Sequence, residues 1–219
     1  AINDYADRNI DGHVERTRAR PIVTGDVMPG EALMVAAILA LAALFLVLFL
    51  DPLVIALSIP AVLIAAIYPF TKRVLAIPQA WLGIAFGFGI PMGFAAVQGG
   101  VPGVAWLMVL ANVFWAMAYD TEYAMVDRPD DLKIGVKSAA ITFGRYDVTA
   151  VMGCYAAMLV LMAVAGAIAG LGPMYYVLGL CGAAGIAWHH YGLIRERERA
   201  DCFRAFLHNN WFGATIFAG

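Results

Sequence analysis

From about residue 31 onward the chain alternates long apolar blocks with short connectors, and the blocks show no strand-like alternation of polar and apolar positions. Spans are expected near 31–50, 53–70, 79–98, 102–119, 148–169 and 174–194, with a last one from about 203 to Gly219. A helix needs ~20 residues at ~1.5 Å rise each to cross a hydrocarbon layer of ~30 Å, and the blocks are of that length. The pattern therefore predicts an all-α, polytopic transmembrane helical bundle of about seven spans, and the missing alternation argues against a β-barrel. Residues 1–30 are polar and carry both signs of charge, so they are not expected in contact with lipid. No secretory signal peptide is expected, since no short apolar region precedes a small-residue cleavage site.

Composition sharpens this picture. The 219 residues are 63% hydrophobic and 14% charged, more apolar than a soluble domain of that size can hide in one core. A lipid-facing surface follows, and no nucleic-acid partner is expected. The net charge of -2 conceals a strong asymmetry. All 14 Lys and Arg fall in 1–30, 71–78, 120–147 and 195–204, which the predicted spans place on one side of the bilayer. Basic residues are retained on the cytoplasmic side, so that side is read as inside. Of the 16 acids only Asp51 lies opposite, which topology does not require, because acids contribute little to orientation.

The acids also cluster by spacing. Asn3, Asp4, Asp7 and Asp11 stand in NDYADRNID, and Asn3, Asp7 and Asp11 follow an i, i+4, i+8 pattern that a helix lines up along one face. Asp120, Glu122, Asp127, Asp130 and Asp131 stand in YDTEYAMVDRPDD, where Asp120, Asp127 and Asp131 share a face if the segment is helical. Pro129 leaves a second geometry open, with a helix starting there and Asp127 near its N-cap. Two carboxylates ~6 Å apart at an effective dielectric of ~20 repel by roughly 3 kcal/mol, so a shared cation is the natural resolution. Magnesium suits such a site, taking one or two carboxylates and completing its shell with water and phosphate oxygens. Lys72, Arg73, Lys133 and Lys137 stand near the clusters and are candidate diphosphate ligands, although the same residues also serve as cytoplasmic anchors.

Cys154, Cys181 and Cys202 are far apart, form no CxxC pair and are read as structural. Trp188, His189, His190 and Tyr191 are read as interfacial residues at a span end. The glycines and Pro91 of GIAFGFGIPMG are read as permitting close helix packing or a bend around a cavity.

NDYADRNIDGHVERTRARPIVTG, YPFTKR and YDTEYAMVDRPDDLKIGVKSAAITFG closely resemble the 4-hydroxybenzoate polyprenyltransferases of the UbiA superfamily of intramembrane prenyltransferases. The resemblance runs from Asn3 to the end of the chain. Its NDxxDxxxD motif is matched by Asn3, Asp4, Asp7 and Asp11, and its DxxxD motif by Asp127 and Asp131. Pro129 departs from the family's pattern. The stretch from Tyr119 to Gly135 is the part most specific to the 4-hydroxybenzoate branch.

The resemblance implies a magnesium-dependent transfer of a polyprenyl group from polyprenyl diphosphate to 4-hydroxybenzoate, ortho to the hydroxyl, in ubiquinone biosynthesis. Asp7, Asp11, Asp127 and Asp131 would be catalytic and, with Asn3, would hold metal. Asn3, Asp4, Lys72, Arg73, Lys133 and Lys137 would bind substrate. It also implies a bacterial inner-membrane protein with its site on the cytoplasmic side, the lipid bilayer being a partner. Residues 1–219 would be a single domain and a fragment of a nine-helix fold, truncated at both ends and showing little transfer by itself. Homogentisate, naphthoate and haem acceptors stay open, as does a divalent-cation transporter, which would carry acids near mid-span and on both sides.

Overall fold

The computed structural model describes residues 1–219, and every regular element in it is helical. The polar N-terminal stretch folds into a short helix α1 (Ile2–Asp7), a 3₁₀ turn (Asp11–His13) and a one-turn helix α2 (Pro21–Thr24). Then come α3 (Pro29–Val47), α4 (Pro52–Thr71), α5 (Pro78–Gly87), α6 (Gly89–Gln98) and α7 (Gly103–Ile134). The remainder is α8 (Ala139–Phe143), α9 (Asp147–Ala169), a π-helical stretch (Tyr175–Leu180) continuing into α10 (Cys181–Ile194), and α11 (Arg199–Ala218).

Six of the helical segments are long and apolar enough to cross a membrane; the segment expected as a seventh span is helical, as α11, but is not among those six. α11 is 20 residues long but begins Arg-Ala-Asp and carries His208, Asn209 and Asn210, so it is less apolar than the others. Pro starts α3, α4 and α5, where its missing N–H is no loss and its fixed φ favours helix entry. Asp51 caps α4, its carboxylate accepting from the Leu53 N–H at 2.8 Å.

Two departures from the sequence reading have clear causes. The 79–98 span is interrupted between α5 and α6, because Pro91 has no N–H to donate to the Gly87 carbonyl four residues back. The stretch from Asp120, read as the start of a connector, instead prolongs α7 to 32 residues. Pro129 sits inside that helix, so the geometry in which it starts a helix is set aside. α7 ends at Gly135, whose φ of 73° is left-handed and suits glycine, and whose N–H caps the Asp131 carbonyl.

α7 is the axis of the bundle, packed between α5, α9 and α11. The α5 seam is tight: a Cβ on Gly83 would lie 2.6 Å from the Val113 Cα, and one on Gly87 would lie 3.1 Å from the Val109 side chain. At one end of the bundle the fully buried Asp147 accepts from Arg128 at 3.0 Å and from Arg197 at 2.7 Å, which ties α7, α9 and the turn before α11 together. α3 lies at the margin, its Leu33, Leu39, Leu41, Phe45 and Leu46 exposed as lipid-facing side chains.

Candidate active site

The two acidic clusters meet. Asn3, Asp7 and Asp11 from the N-terminal segment and Asp120, Asp127 and Asp131 from α7 line one cavity of ≈ 180 Å³, together with Lys72 from the end of α4 and Lys137 beyond α7. The first cluster does not achieve this as one helix face. α1 ends at Asp7, and Asp11 arrives from the separate 3₁₀ turn. Thr17 fixes that turn, its hydroxyl donating to the Asp11 carbonyl at 2.8 Å. The second cluster does use one helix face. Residues 120, 127 and 131 recur at seven and four positions, close to two turns and one turn of an α-helix.

Not every acid of the second cluster faces the cavity. Asp130 turns outward and pairs with Lys133 and with Arg199, both at 3.0 Å. Glu122 points to the far side of α7, into the bundle. Asp4, in the first cluster, is half-buried beside Arg20 at 2.8 Å and does not line the cavity.

Of the four basic residues singled out from sequence, Lys72 and Lys137 line the cavity. Lys72 pairs with Asp7, and the Lys137 ammonium donates to the Val74 carbonyl at 3.0 Å. Lys137 is brought there by the Gly135 reversal and by its own N–H, which donates to the Lys72 carbonyl at 3.2 Å. Arg73 lies outside the lining: it donates to the Ala6 carbonyl at 2.7 Å and thereby anchors the end of α1. Lys133 is likewise outside, on Asp130.

Two cationic residues missed from sequence are central. Arg16 grips Asp127 with Nη2 at 2.6 Å and Nε at 3.2 Å, and stacks on the Tyr123 ring at 4.1 Å. Arg20 donates to Asp11 at 2.8 Å. Their signal was VERTRARP shortly after the first motif, where the arginines entered only the one-sided count of basic residues. Gln79, Tyr68 and Ser138 complete the polar lining.

The electrostatics follow from this crowding. Burial raises the Asp11 carboxyl above the usual carboxylate range; Arg20 pulls it back and Asp7 pushes it up again. Burial works against the Arg16 charge, yet the bond to Asp127, together with the nearby charges of Asp127, Tyr123 and Asp11, outweighs it and leaves the guanidinium pKa raised. Asp7 is almost fully buried, and its Oδ1 is one of the few buried side-chain atoms with no hydrogen-bond partner. No three His, Cys, Asp or Glu side chains converge on one point. The carboxylates thus surround a cavity rather than forming a closed protein cage.

A second cavity, of ≈ 600 Å³ and mostly apolar, lies toward the N-terminal end of α7, among Phe94, Met108, Trp115, Met162, Tyr175 and Ile216. On the side of α7 turned from the aspartate cavity is a buried polar group. Asn209 donates to Glu122 Oε2 at 2.7 Å, and the Tyr155 oxygen lies 3.0 Å from Glu122 Oε1 and 2.9 Å from His190 Nδ1. His190 is fully buried, which corrects its reading as interfacial, whereas His189 and Trp188 are exposed. Its burial follows from the hydrogen-bond partners that α9 and α11 bring to it.

The UbiA prenyltransferase family matches residues 1–212. The chain belongs to the UbiA prenyltransferase family. It is 68% identical over 218 residues to the 4-hydroxybenzoate octaprenyltransferase of Azoarcus sp., covering 100% of this chain and 76% of that relative. It is 67% identical over 216 residues to the enzyme of the same name from Aromatoleum aromaticum, covering 99% of this chain and 73% of the relative. The fold is that of an apo UbiA homolog from Aeropyrum pernix, with a TM-score of 0.83 and 24% identity over 99% of this chain and 82% of that one. A digeranylgeranylglyceryl phosphate synthase is also similar in fold, with a TM-score of 0.70 and 18% identity over 99% of this chain and 77% of that one. UbiA membership confirms the resemblance read from the two motifs and sets the transporter aside.

Proposed function

We propose that this UbiA-family chain transfers a polyprenyl group from polyprenyl diphosphate to the carbon ortho to the hydroxyl of 4-hydroxybenzoate, with release of diphosphate and of the ring proton at that carbon, a step of ubiquinone biosynthesis. The observation that carries this reading is the single cavity in which both aspartate clusters face Lys72, Lys137, Arg16 and Arg20. The relatives' names supply the acceptor and make the prenyl donor polyisoprenoid. The one-sided Lys and Arg distribution supports a bacterial inner-membrane protein with this cavity on the cytoplasmic side, and residues 1–219 are read as one integral-membrane domain.

The residues fit magnesium. Their donors are carboxylate and amide oxygens, which suit a hard cation, and the unpartnered Asp7 Oδ1 is a buried acceptor awaiting one. Asn3, Asp7 and Asp11 would hold metal on one wall, and Asp127 and Asp131 on the other. Magnesium held by these residues would supply positive charge to the diphosphate leaving group. The chain's own groups supply the rest. Lys72 and Lys137 place positive charge beside the leaving group. Arg16 and Arg20 balance Asp127 and Asp11 here, and their forked donors match phosphate oxygens in the same cavity. The Tyr68 and Tyr123 rings border the space where the allylic cation develops, and their faces attract positive charge. The second cavity offers an apolar, water-poor volume for the prenyl chain, which protects the cation from bulk water.

The test is an assay of membranes containing the full-length protein, with labelled prenyl diphosphate and a panel of aromatic acids. Prenylated 4-hydroxybenzoate should form only with magnesium. Preferential labelling of homogentisate or a naphthoate would overturn the acceptor assignment, and equal transfer in excess chelator would overturn the metal.

A further inference from the structure

The polar group behind α7 contains more acceptors than an ionised glutamate allows, and counting its hydrogens fixes its protonation. Trp115 Nε1–H donates to Asn209 Oδ1 at 3.1 Å, while the Asn209 amide donates to Glu122 Oε2 at 2.7 Å and to the Ala205 carbonyl at 3.1 Å. These contacts orient the amide, so Asn209 Oδ1 has no hydrogen to give. The Tyr155 oxygen lies 2.8 Å from Asn209 Oδ1, and the single phenolic hydrogen is therefore spent there. The same phenolic oxygen is 3.0 Å from Glu122 Oε1, a contact for which only the glutamate can provide a hydrogen. It is also 2.9 Å from His190 Nδ1, which then donates, leaving His190 Nε2 to accept from His208 Nδ1 at 3.1 Å.

With Glu122 neutral, each of these contacts holds one hydrogen and no atom carries charge. The competing form pairs an ionised Glu122 with a doubly protonated His190, whose Nδ1 is 3.6 Å from Glu122 Oε1. It leaves the Tyr155 hydrogen to serve both Glu122 and Asn209, so one close oxygen–oxygen contact has no proton. It also places two charges on side chains with no solvent exposure. The groups facing Glu122 are Tyr155 from α9, His190 from α10 and Asn209 from α11, with the buried Cys202 thiol of α11 nearby and His208 beyond His190. None is a free cation.

Resting on the proposed transfer, we infer that Glu122 is a neutral carboxylic acid and a positioning residue, donating to Tyr155 and fixing the rotation of α7 that turns Asp120, Asp127 and Asp131 into the cavity. At 3.6 residues per turn Glu122 lies about 200° round the helix from Asp120 and about 140° from Asp127. A network that grips one side of α7 therefore sets the aim of the other. Because both Glu122 oxygens are held, by α9 and by α11, the helix cannot turn without breaking the network.

The test uses the full chain in a detergent free of ester groups. The infrared difference spectrum of wild type against Glu122→Gln should show a protonated-carboxyl C=O band lost in the variant. Gln can donate to Tyr155 and accept from Asn209, so Glu122→Gln should keep turnover within about 2-fold and keep the unfolding midpoint. Glu122→Leu should lower the midpoint, cut turnover about 10-fold or more and raise the KM for prenyl diphosphate. Absence of the band, or a Glu122→Gln variant as inactive as Glu122→Leu, would overturn the inference by showing that the charge is required. A wild type with the band but no prenyl transfer would uphold the neutral acid and remove the proposed reaction instead.

Discussion

The two sides of α7 carry carboxylates a few residues apart and treat them oppositely. On the cavity side, Asp127 is gripped by Arg16 and Asp131 lines the same space as Lys72, so the carboxylates stand opposite cationic side chains. On the bundle side, Glu122 is enclosed by Tyr155, Asn209 and His190 with no Arg or Lys in reach, and hydrogen-bond geometry requires it neutral. The difference shows that acid content alone does not mark the site. What marks it is an acid facing a cavity, with a cationic side chain beside it and an oxygen left unpaired, as at Asp7.

The sharpest way to break this comparison is to make the same change on each side. Asp127→Asn should lower prenyl transfer by roughly 10²–10³-fold, because it removes charge from the leaving-group site, whereas Glu122→Gln should be nearly silent. Equal losses, measured as initial rates at saturating magnesium, would erase the distinction. Asp7→Ala, Asp11→Ala and Asp131→Ala should resemble Asp127→Asn in rate while keeping the wild-type unfolding midpoint.

A third strip of α7 faces α5 and carries no chemistry. Gly83→Ala should cost about 1–3 kcal/mol of stability by overpacking, since the added methyl would lie 2.6 Å from the Val113 Cα. The check is thermal unfolding in detergent, and a wild-type midpoint would show that the seam yields. Arg16→Ala should raise the KM for prenyl diphosphate about 10-fold, in line with the loss of a charge-assisted contact. An effect on kcat alone would place Arg16 in holding Asp127 rather than substrate. At the far end of the bundle, Asp51→Ala should cost about 1 kcal/mol through loss of the α4 cap and leave turnover unchanged.

How far the sequence disclosed this depends on which physical signal each feature leaves. Long apolar blocks announce membrane helices, and the six apolar spans were legible in place, though neither the break between α5 and α6 nor the far end of α7 was. The convergence of Asp7 and Asp127 was legible as two motifs on one membrane side, reinforced by family resemblance. Continuation of α7 through Pro129 was not, because local propensity reads proline as a stop while packing against α5, α9 and α11 holds the helix together. The roles of Arg16 and Arg20 were hidden for a different reason. A basic residue at a membrane edge satisfies topology whatever else it does, and only the fold shows that these two reach Asp127 and Asp11. His190 was misread because a span end resembles an interface until its partners from α9 and α11 are known.

The central claim is that the two aspartate clusters act together on a metal-bound diphosphate. Magnesium titration calorimetry on the purified chain, with and without an unreactive prenyl diphosphate analogue, tests it most directly. Analogue and magnesium should strengthen one another's binding by the same factor, as linkage requires. That coupling should vanish in Asp7→Asn and in Asp131→Asn alike. Coupling that survives in either variant would contradict a site shared between the clusters.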